Sequence, residues 1–400
     1  MVAYQQFVEL SGSGDSNARG QAAHYAAVAF VGHKGPADEQ AALYAALIGF
    51  LDDASVKVRA ALAYGLLHAK CAPRPIMMSL LHDAPVIARA VAQYSPVLVD
   101  ADLLSIIGTA DEAMLDVIAR RPHLSTRIAQ TLLTRDLRGI TLQVLGRDDV
   151  TLTAGMLDEL ARTKGTDAKI RGALLKRKEL SAAARYQLVE LVRDALSEAR
   201  IVKGAVAPNR LERVLRDATD NAMTAIGERE AGAARGAFSA QMVKEDRINP
   251  RRMLHAIVNG HVLFFADCVG ILADTPREKV FTILDRGSRA ALNALFAKCG
   301  LSAPMRNLLA RLVSYARRAD LSDDLAARHF VVTALIDELI EEHGGDIPVD
   351  LETAFAYLNE QNIGLARMAA RGVLPAFAEQ AEDGRALPNT EPAFAALPAA

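Results

Sequence analysis

The phrase Leu51-Asp52-Asp53-Ala54-Ser55-Val56-Lys57-Val58-Arg59 returns thirty positions later as Leu81-His82-Asp83-Ala84-Pro85-Val86-Ile87-Ala88-Arg89. Self-similarity at a period of about 20 to 50 residues marks stacked supersecondary units, each too small to bury its own apolar face. In both copies an aspartate precedes a helix start, where its oxygens can accept orphan N–H groups and favour the helix dipole. Val58, Ala61, Leu62 and Leu66 then form an apolar stripe at helical spacing. A second phrase, Ala119-Arg120-Arg121-Pro122-His123-Leu124-Ser125, recurs as Leu175-Lys176-Arg177-Lys178-Glu179-Leu180-Ser181, fifty-six positions on. That distance is two units of about 28 residues, within the same range of periods.

Helical periodicity runs from residue 21 to about 376, with no convincing alternating strand and with turn residues every ten to fifteen positions or so. Phenylalanine is absent between Phe50 and Phe238, so Ala, Leu, Val and Ile must do the packing there, as thin layers of short helices require. The Asp-to-Val-Arg pattern resembles the HEAT repeat, and that resemblance implies acid–base pairing between successive units. The expected fold is all-α: a HEAT-like α-solenoid followed by a helical C-terminal domain. Its expected divisions are a flexible N-terminal arm at 1–20, helical repeats at 21–192, a charged helical connector at 193–248, a C-terminal helical domain at 249–376 and a disordered tail at 377–400. The apolar stretch 255–273 reads as one buried helix. His255, Asn259, His261 and Asp267 within it would be penalised at a bilayer centre.

Composition narrows the function classes. Forty-six basic residues nearly balance 48 acidic ones, so no global field draws the chain onto nucleic acid. Cys71, Cys268 and Cys299 lack metal-like or redox-like spacing, and three scattered thiols suit a reducing compartment. The first twenty residues have neither a basic start nor an apolar run, so no secretory signal is read there, and a cytoplasmic location is expected.

Several pieces together resemble a bacterial family catalogued as domain of unknown function 2336. They are the segment Leu51-Asp52-Asp53 through Arg59, Tyr94-Ser95-Pro96-Val97-Leu98 with Asp100-Ala101-Asp102-Leu103, the Arg120-Arg121-Pro122 phrase, and Gly260-His261-Val262-Leu263-Phe264-Phe265 with Pro276 and Val280. The resemblance covers about residues 50–301. It implies HEAT-like helices followed by a further helical region and a bacterial regulatory or adaptor role, with no catalytic residues to carry over.

The candidate sites have plain structural alternatives. His255 and His261 stand six apart, on different helix faces, without the i, i+4 spacing of metal helices. Asp337, Glu338, Glu341, Glu342 and His343 read as a solvated helix end or a partner-facing acidic patch. Arg120, Arg121, Lys176 and Arg177 fall at equivalent repeat positions, which suits either pairing inside the stack or a basic strip, and they are the expected contact residues for an acidic partner. The expectation is a non-catalytic scaffold or adaptor that binds another protein, with no cofactor, no metal and no membrane. The alternative is a nucleic-acid-binding HEAT-like protein, including a DNA-base glycosylase. A chain with no Trp and 5% aromatics has little to stack on a base.

Overall fold

The structure is a computed structural model describing residues 4–233 and 236–382. Among the described residues it is all-α, with 23 helices and no strand. The chain forms two compact units, Met1–Leu188 and Val189–Ala400.

Unit 1 begins with α1 (Tyr4–Ser11) and α2 (Ser16–Gly32), followed by five helical hairpins. These are α3 (Ala37–Leu51) with α4 (Val56–Leu66), α5 (Arg74–Leu81) with α6 (Pro85–Tyr94), and α7 (Asp100–Ile107) with α8 (Glu112–Ala119). Next come α9 (Thr126–Leu133) with α10 (Arg138–Leu145), and α11 (Ala154–Lys164) with α12 (Ala168–Lys176). The second helices form a continuous layer, α2 on α4, α4 on α6, and so on to α12, while α3 packs on α5 and α7 on α9 in the first-helix layer. This is the side-by-side sharing of apolar faces that the repeated phrase implies, and the solenoid expected for this part of the chain is what unit 1 forms.

The core of the stack is aliphatic. Leu62, Leu66, Ile76, Leu80, Ile87, Val91, Leu115, Ile118, Val144 and Leu157 are all 0–2% exposed. Burying one such side chain contributes roughly 1.5–3 kcal/mol. Close approach of α2 and α4 depends on small residues, since a Cβ on Gly65 would lie 2.5 Å from the Cβ of Ala27. The N-terminal arm expected to be flexible instead contributes α1 and the start of α2. Phe7 meets Phe50 edge-on at 6.3 Å, and Arg19 bonds Asp53 at 2.7 Å.

Unit 2 starts within α13 (Ala182–Glu198) and continues through α14 (Arg200–Ala205), α15 (Pro208–Gly232) and α16 (Ala237–Lys244). The segment expected as a charged connector, 193–248, belongs to this unit. Most of its charges are solvated, as at Lys203, Arg210, Glu212 and Arg213, but Asp220 on α15 is only 2% exposed and is paired inside the unit. Then come α17 (Pro250–Val258), α18 (Val262–Leu272), α19 (Arg277–Arg286) and α20 (Arg289–Lys298). The unit ends with α21 (Ala303–Ala316), α22 (Leu325–His343) and α23 (Val349–Glu382).

The stretch read as one helix is therefore two, α17 and α18. The break sits at Gly260, whose φ is +75°. His261 N–H bonds Ala256 O at 2.8 Å and Gly260 N–H bonds Ile257 O at 2.9 Å, a Schellman closure that a left-handed glycine permits. A Cβ there would also lie 2.6 Å from the Ser322 backbone. Of the tail expected at 377–400, residues 377–382 continue α23 and the remainder lies outside the described residues.

Candidate functional site

Two arginine ladders hold unit 1 together. In the first, an arginine near the start of one second-layer helix binds the aspartate that opens the next. Arg19 pairs with Asp53, Arg59 with Asp83 and Arg89 with Asp111, at 2.7, 2.7 and 2.8 Å. Arg138 binds Asp167 in the same way. The aspartates also accept backbone N–H groups, Asp53 from Ser55, Asp111 from Met114 and Asp167 from Ile170. The side-chain hydrogen bond from Arg19 is the main reason the Asp53 carboxyl is held below its usual range, and Arg59 does the same for Asp83.

The second ladder places an arginine just past the C-terminus of one second-layer helix against carbonyls at or just beyond the C-terminus of the second-layer helix before it. Arg121 donates to Ala92 O and, at 2.9 Å, to Ser95 O. Arg147 donates to Ala119 O and Arg121 O, both at 2.7 Å. Arg177 donates to Arg147 O and Val150 O, both at 2.7 Å. Carbonyls at a helix C-terminus lack intrahelical donors and carry partial negative charge, so a guanidinium satisfies both needs.

This geometry separates the four basic residues singled out from the sequence. Arg121 and Arg177 are 7% and 6% exposed, and their terminal nitrogens donate to backbone carbonyls inside the stack, Arg177 also to Glu179 at 3.0 Å, while the Nε of each is buried without a partner. They are therefore corrected from partner-facing to structural positions. Arg120 and Lys176 are exposed; Arg120 pairs along its own helix turn with Asp116 at 2.9 Å. Arg147, which completes the ladder, was missed because it lies outside the repeated phrase.

The second-layer helices also carry a row of aromatic side chains. Aligning Arg19 with Arg59, and Asp53 with Asp83, places His24, Tyr64 and Tyr94 at equivalent positions. Tyr64 is 70% exposed and Tyr94 40%, beside Tyr25 at 42%. The His24 and Tyr64 rings lie 5.6 Å apart, and His68 meets Tyr94 at 5.4 Å. The thirty-residue offset of the first repeat maps Tyr64 onto Tyr94, so this row was available in the sequence. Helices α2, α4, α6, α8, α10 and α12 hold eight Lys and Arg residues (19, 57, 59, 89, 138, 169, 171 and 176), of which Arg19, Arg59, Arg89 and Arg138 are matched by Asp53, Asp83, Asp111 and Asp167, leaving Lys57, Lys169, Arg171 and Lys176 against Glu112 and Asp116.

Unit 2 buries a polar network joining α15, α17 and α23. Arg251 reaches Asp217 at 2.5 Å, Asp220 at 3.2 Å and Glu360 at 3.2 Å, and its guanidinium lies 4.8 Å from the Tyr357 ring centre. Arg252 takes the other oxygen of Asp220 at 2.8 Å. His255, fully buried, contacts Asn221 Oδ1 through Nε2 at 2.8 Å and the Tyr357 hydroxyl through Nδ1 at 3.0 Å. Burial pushes the His255 imidazole down to about 4, so it is neutral near pH 7. These partners lie up to 109 positions apart in the chain, beyond the reach of local pattern. His261, by contrast, does not join His255 in a shared site; its Nδ1 is buried without a partner.

Among the described residues no group of three or more His, Cys, Asp or Glu is placed to hold a metal ion. The acidic patch on α22 faces α21 in part: Tyr315 donates to Glu338 at 2.5 Å, and Arg311 bonds Glu338 and Glu342. No helix among the described residues is long and apolar enough to cross a membrane. Residues 87–343 match the model of a family described as "Uncharacterised protein conserved in bacteria (DUF2336)". No curated protein and no solved structure matches the chain.

Proposed function

Given that the chain belongs to the bacterial DUF2336 family, we propose that it is a non-catalytic interaction protein whose unit 1 binds an acidic, apolar-rich segment of another protein. The observation that carries this reading is the aromatic row of half-buried His24 and exposed Tyr64 and Tyr94, on a helix layer whose basic residues outside the arginine–aspartate ladder are Lys57, Lys169, Arg171 and Lys176 against Glu112 and Asp116. Single exposed apolar residues are ordinary, whereas tyrosines repeated at one position of successive units form a patch. Tyrosine rings bring large contact area at low entropic cost, and the modest excess of Lys and Arg left in this layer favours a carboxylate-bearing partner. The buried network of unit 2 supports a structural reading of its charges, because Asp217, Asp220 and Glu360 are all occupied by arginine. Three free cysteines accord with a cytoplasmic location.

The test compares the full-length chain with its Tyr64→Ser, Tyr94→Ser variant as immobilised bait in clarified bacterial lysate. The proposal expects one protein recovered in stoichiometric amount, released by a synthetic acidic peptide from its own sequence, and lost from the variant at an unchanged melting temperature. Equal recovery by both baits, or salt-sensitive retention on duplex DNA in place of a protein partner, overturns it.

A further inference from the structure

The aromatic row of unit 1 advances by one helix per step, because α2 packs on α4 and α4 on α6. Packed helices lie about 8–10 Å apart, so the row offers its rings at about that interval. A polyproline II segment turns once in three residues and rises about 3.1 Å per residue, so it presents the same face about every 9 Å. A strand does so about every 6.6 Å. A helix does so about every 10.5 Å, with a drift of about 20° per seven residues. The polyproline II repeat is the one that falls inside the interval of the row.

The surface chemistry agrees. The row forms one aromatic pair per step, His24 with Tyr64 at 5.6 Å and His68 with Tyr94 at 5.4 Å. The hydroxyls of exposed Tyr25, Tyr64 and Tyr94 make no hydrogen bond among the described residues. A polyproline II backbone leaves its carbonyls free to accept such donors, and proline-rich segments dock on aromatic-lined surfaces.

The three helices of the row also lack carboxylates. Stretches 16–37, 54–82 and 84–99, which hold α2, α4 and α6, contain no aspartate or glutamate. Asp53 and Asp83, which open α4 and α6, lie at the opposite ends of those helices and are bound by Arg19 and Arg59. Exposed Lys70 has no ion pair among the described residues. In the chain it stands between His68, whose ring meets Tyr94, and Cys71, whose Sγ lies 3.9 Å from Val31 O near the end of α2. Lys57 bonds the neutral Asn17 Oδ1, in a cleft of about 340 Å³ that His24 and Tyr25 also line and that no carboxylate lines among the described residues. Asp15 registers the charge of Lys57 only as the weakest of the influences on its carboxyl.

Resting on the reading of this row as a protein-binding surface, we propose that its occupant is a proline-rich segment in the polyproline II conformation. The segment is apolar at every third residue and carries carboxylates at the end that lies beside Lys70.

Fluorescence anisotropy of the full chain with labelled synthetic peptides tests it. The probes are a peptide repeating Leu-Pro-Pro and ending in two glutamates, a scrambled peptide of the same composition, and a helix-forming Ala/Glu peptide with leucine at every seventh residue. The repeat should bind saturably at one per chain and at least about tenfold more tightly than the other two. The Tyr64→Ser, Tyr94→Ser variant should bind it at least about tenfold more weakly, and Lys70→Gln about two- to fivefold more weakly, each at an unchanged melting temperature. The inference is overturned if the scrambled peptide binds as tightly as the repeat, if Lys70→Gln binds like the parent, or if the helical peptide binds in place of the repeat. Failure of all three probes, while the parent but not the tyrosine variant recovers a protein from lysate, overturns this inference and leaves the protein-binding reading standing. Failure of both experiments overturns both.

Discussion

Replacing Arg121 by Met separates the two readings of the basic pair at 120–121. In the folded chain the Arg121 guanidinium donates to Ala92 O and Ser95 O, 7% exposed. A hydrogen bond from a charged donor contributes about 1.5–3 kcal/mol, so two bonds set an upper range of roughly 3–6 kcal/mol. Met keeps most of the aliphatic stem and removes a buried charge whose desolvation offsets part of that gain. The two carbonyls left without a donor act in the opposite direction. The net expected loss is about 2–4 kcal/mol. Arg120→Met, at a position 59% exposed with only an i, i+4 partner, should change stability by no more than about 0.5 kcal/mol. Urea unfolding of the full chain, followed by far-ultraviolet circular dichroism, reads both. Equal midpoints for the two variants would refute the carbonyl ladder as a source of stability.

Four further outcomes follow from the structure. The depressed carboxyl of Asp83 contributes stability that is complete above its ordinary titration range and fades as pH falls through the lower folded value; Asp83→Asn should therefore cost stability at pH 7 and converge with the parent only once the pH is well below the ordinary carboxylate range. His255 has the same sign: its folded value of about 4 lies below the ordinary imidazole value of 6.5, so stability is full above pH 6.5 and falls towards pH 4, by on the order of 3 kcal/mol, and an imidazole NMR signal that titrates near 6.5 in the native state would contradict this. Gly260→Ala forces a left-handed alanine against the Ser322 backbone and should lower stability by about 2–4 kcal/mol in thermal unfolding, against near-neutrality for Gly155→Ala, where nothing lies within 4 Å. Iodoacetamide should label exposed Cys71 first in the native chain, half-buried Cys299, whose thiol burial pushes up to about 11, much more slowly, and buried Cys268 only after unfolding, as mass spectrometry of tryptic peptides would show.

The parts of the fold legible in the sequence are those set by local, repeated physics. Asp53 and Asp83 each precede a helix, and Arg59 does reach Asp83, because the interaction recurs once per unit and so leaves a period. Arg121 and Arg177 were correctly aligned with one another but assigned to the wrong environment. Spacing reports equivalence of position and not which way a long side chain turns. The break at Gly260 was hidden by continuous apolarity on both sides, which a buried helix and a buried turn share. Thr275 does not cap α19: its hydroxyl donates to Ala273 O at 3.0 Å, while Asp274 takes φ +44° in the turn after α18. The network of Arg251, Asp220, Glu360 and Tyr357 left no sequence trace, because three helices remote in the chain create it.

Hydrogen exchange of the parent and Arg121→Met, read peptide by peptide, tests most directly whether unit 1 is a stack in which each hairpin depends on its neighbours. The account predicts that amides of α6, α7 and α8 lose protection first and most, that the effect declines towards α2 and α12, and that α17 and α18 keep their native rates. Uniform loss across residues 4–188, or a change centred on α17 and α18, would contradict it.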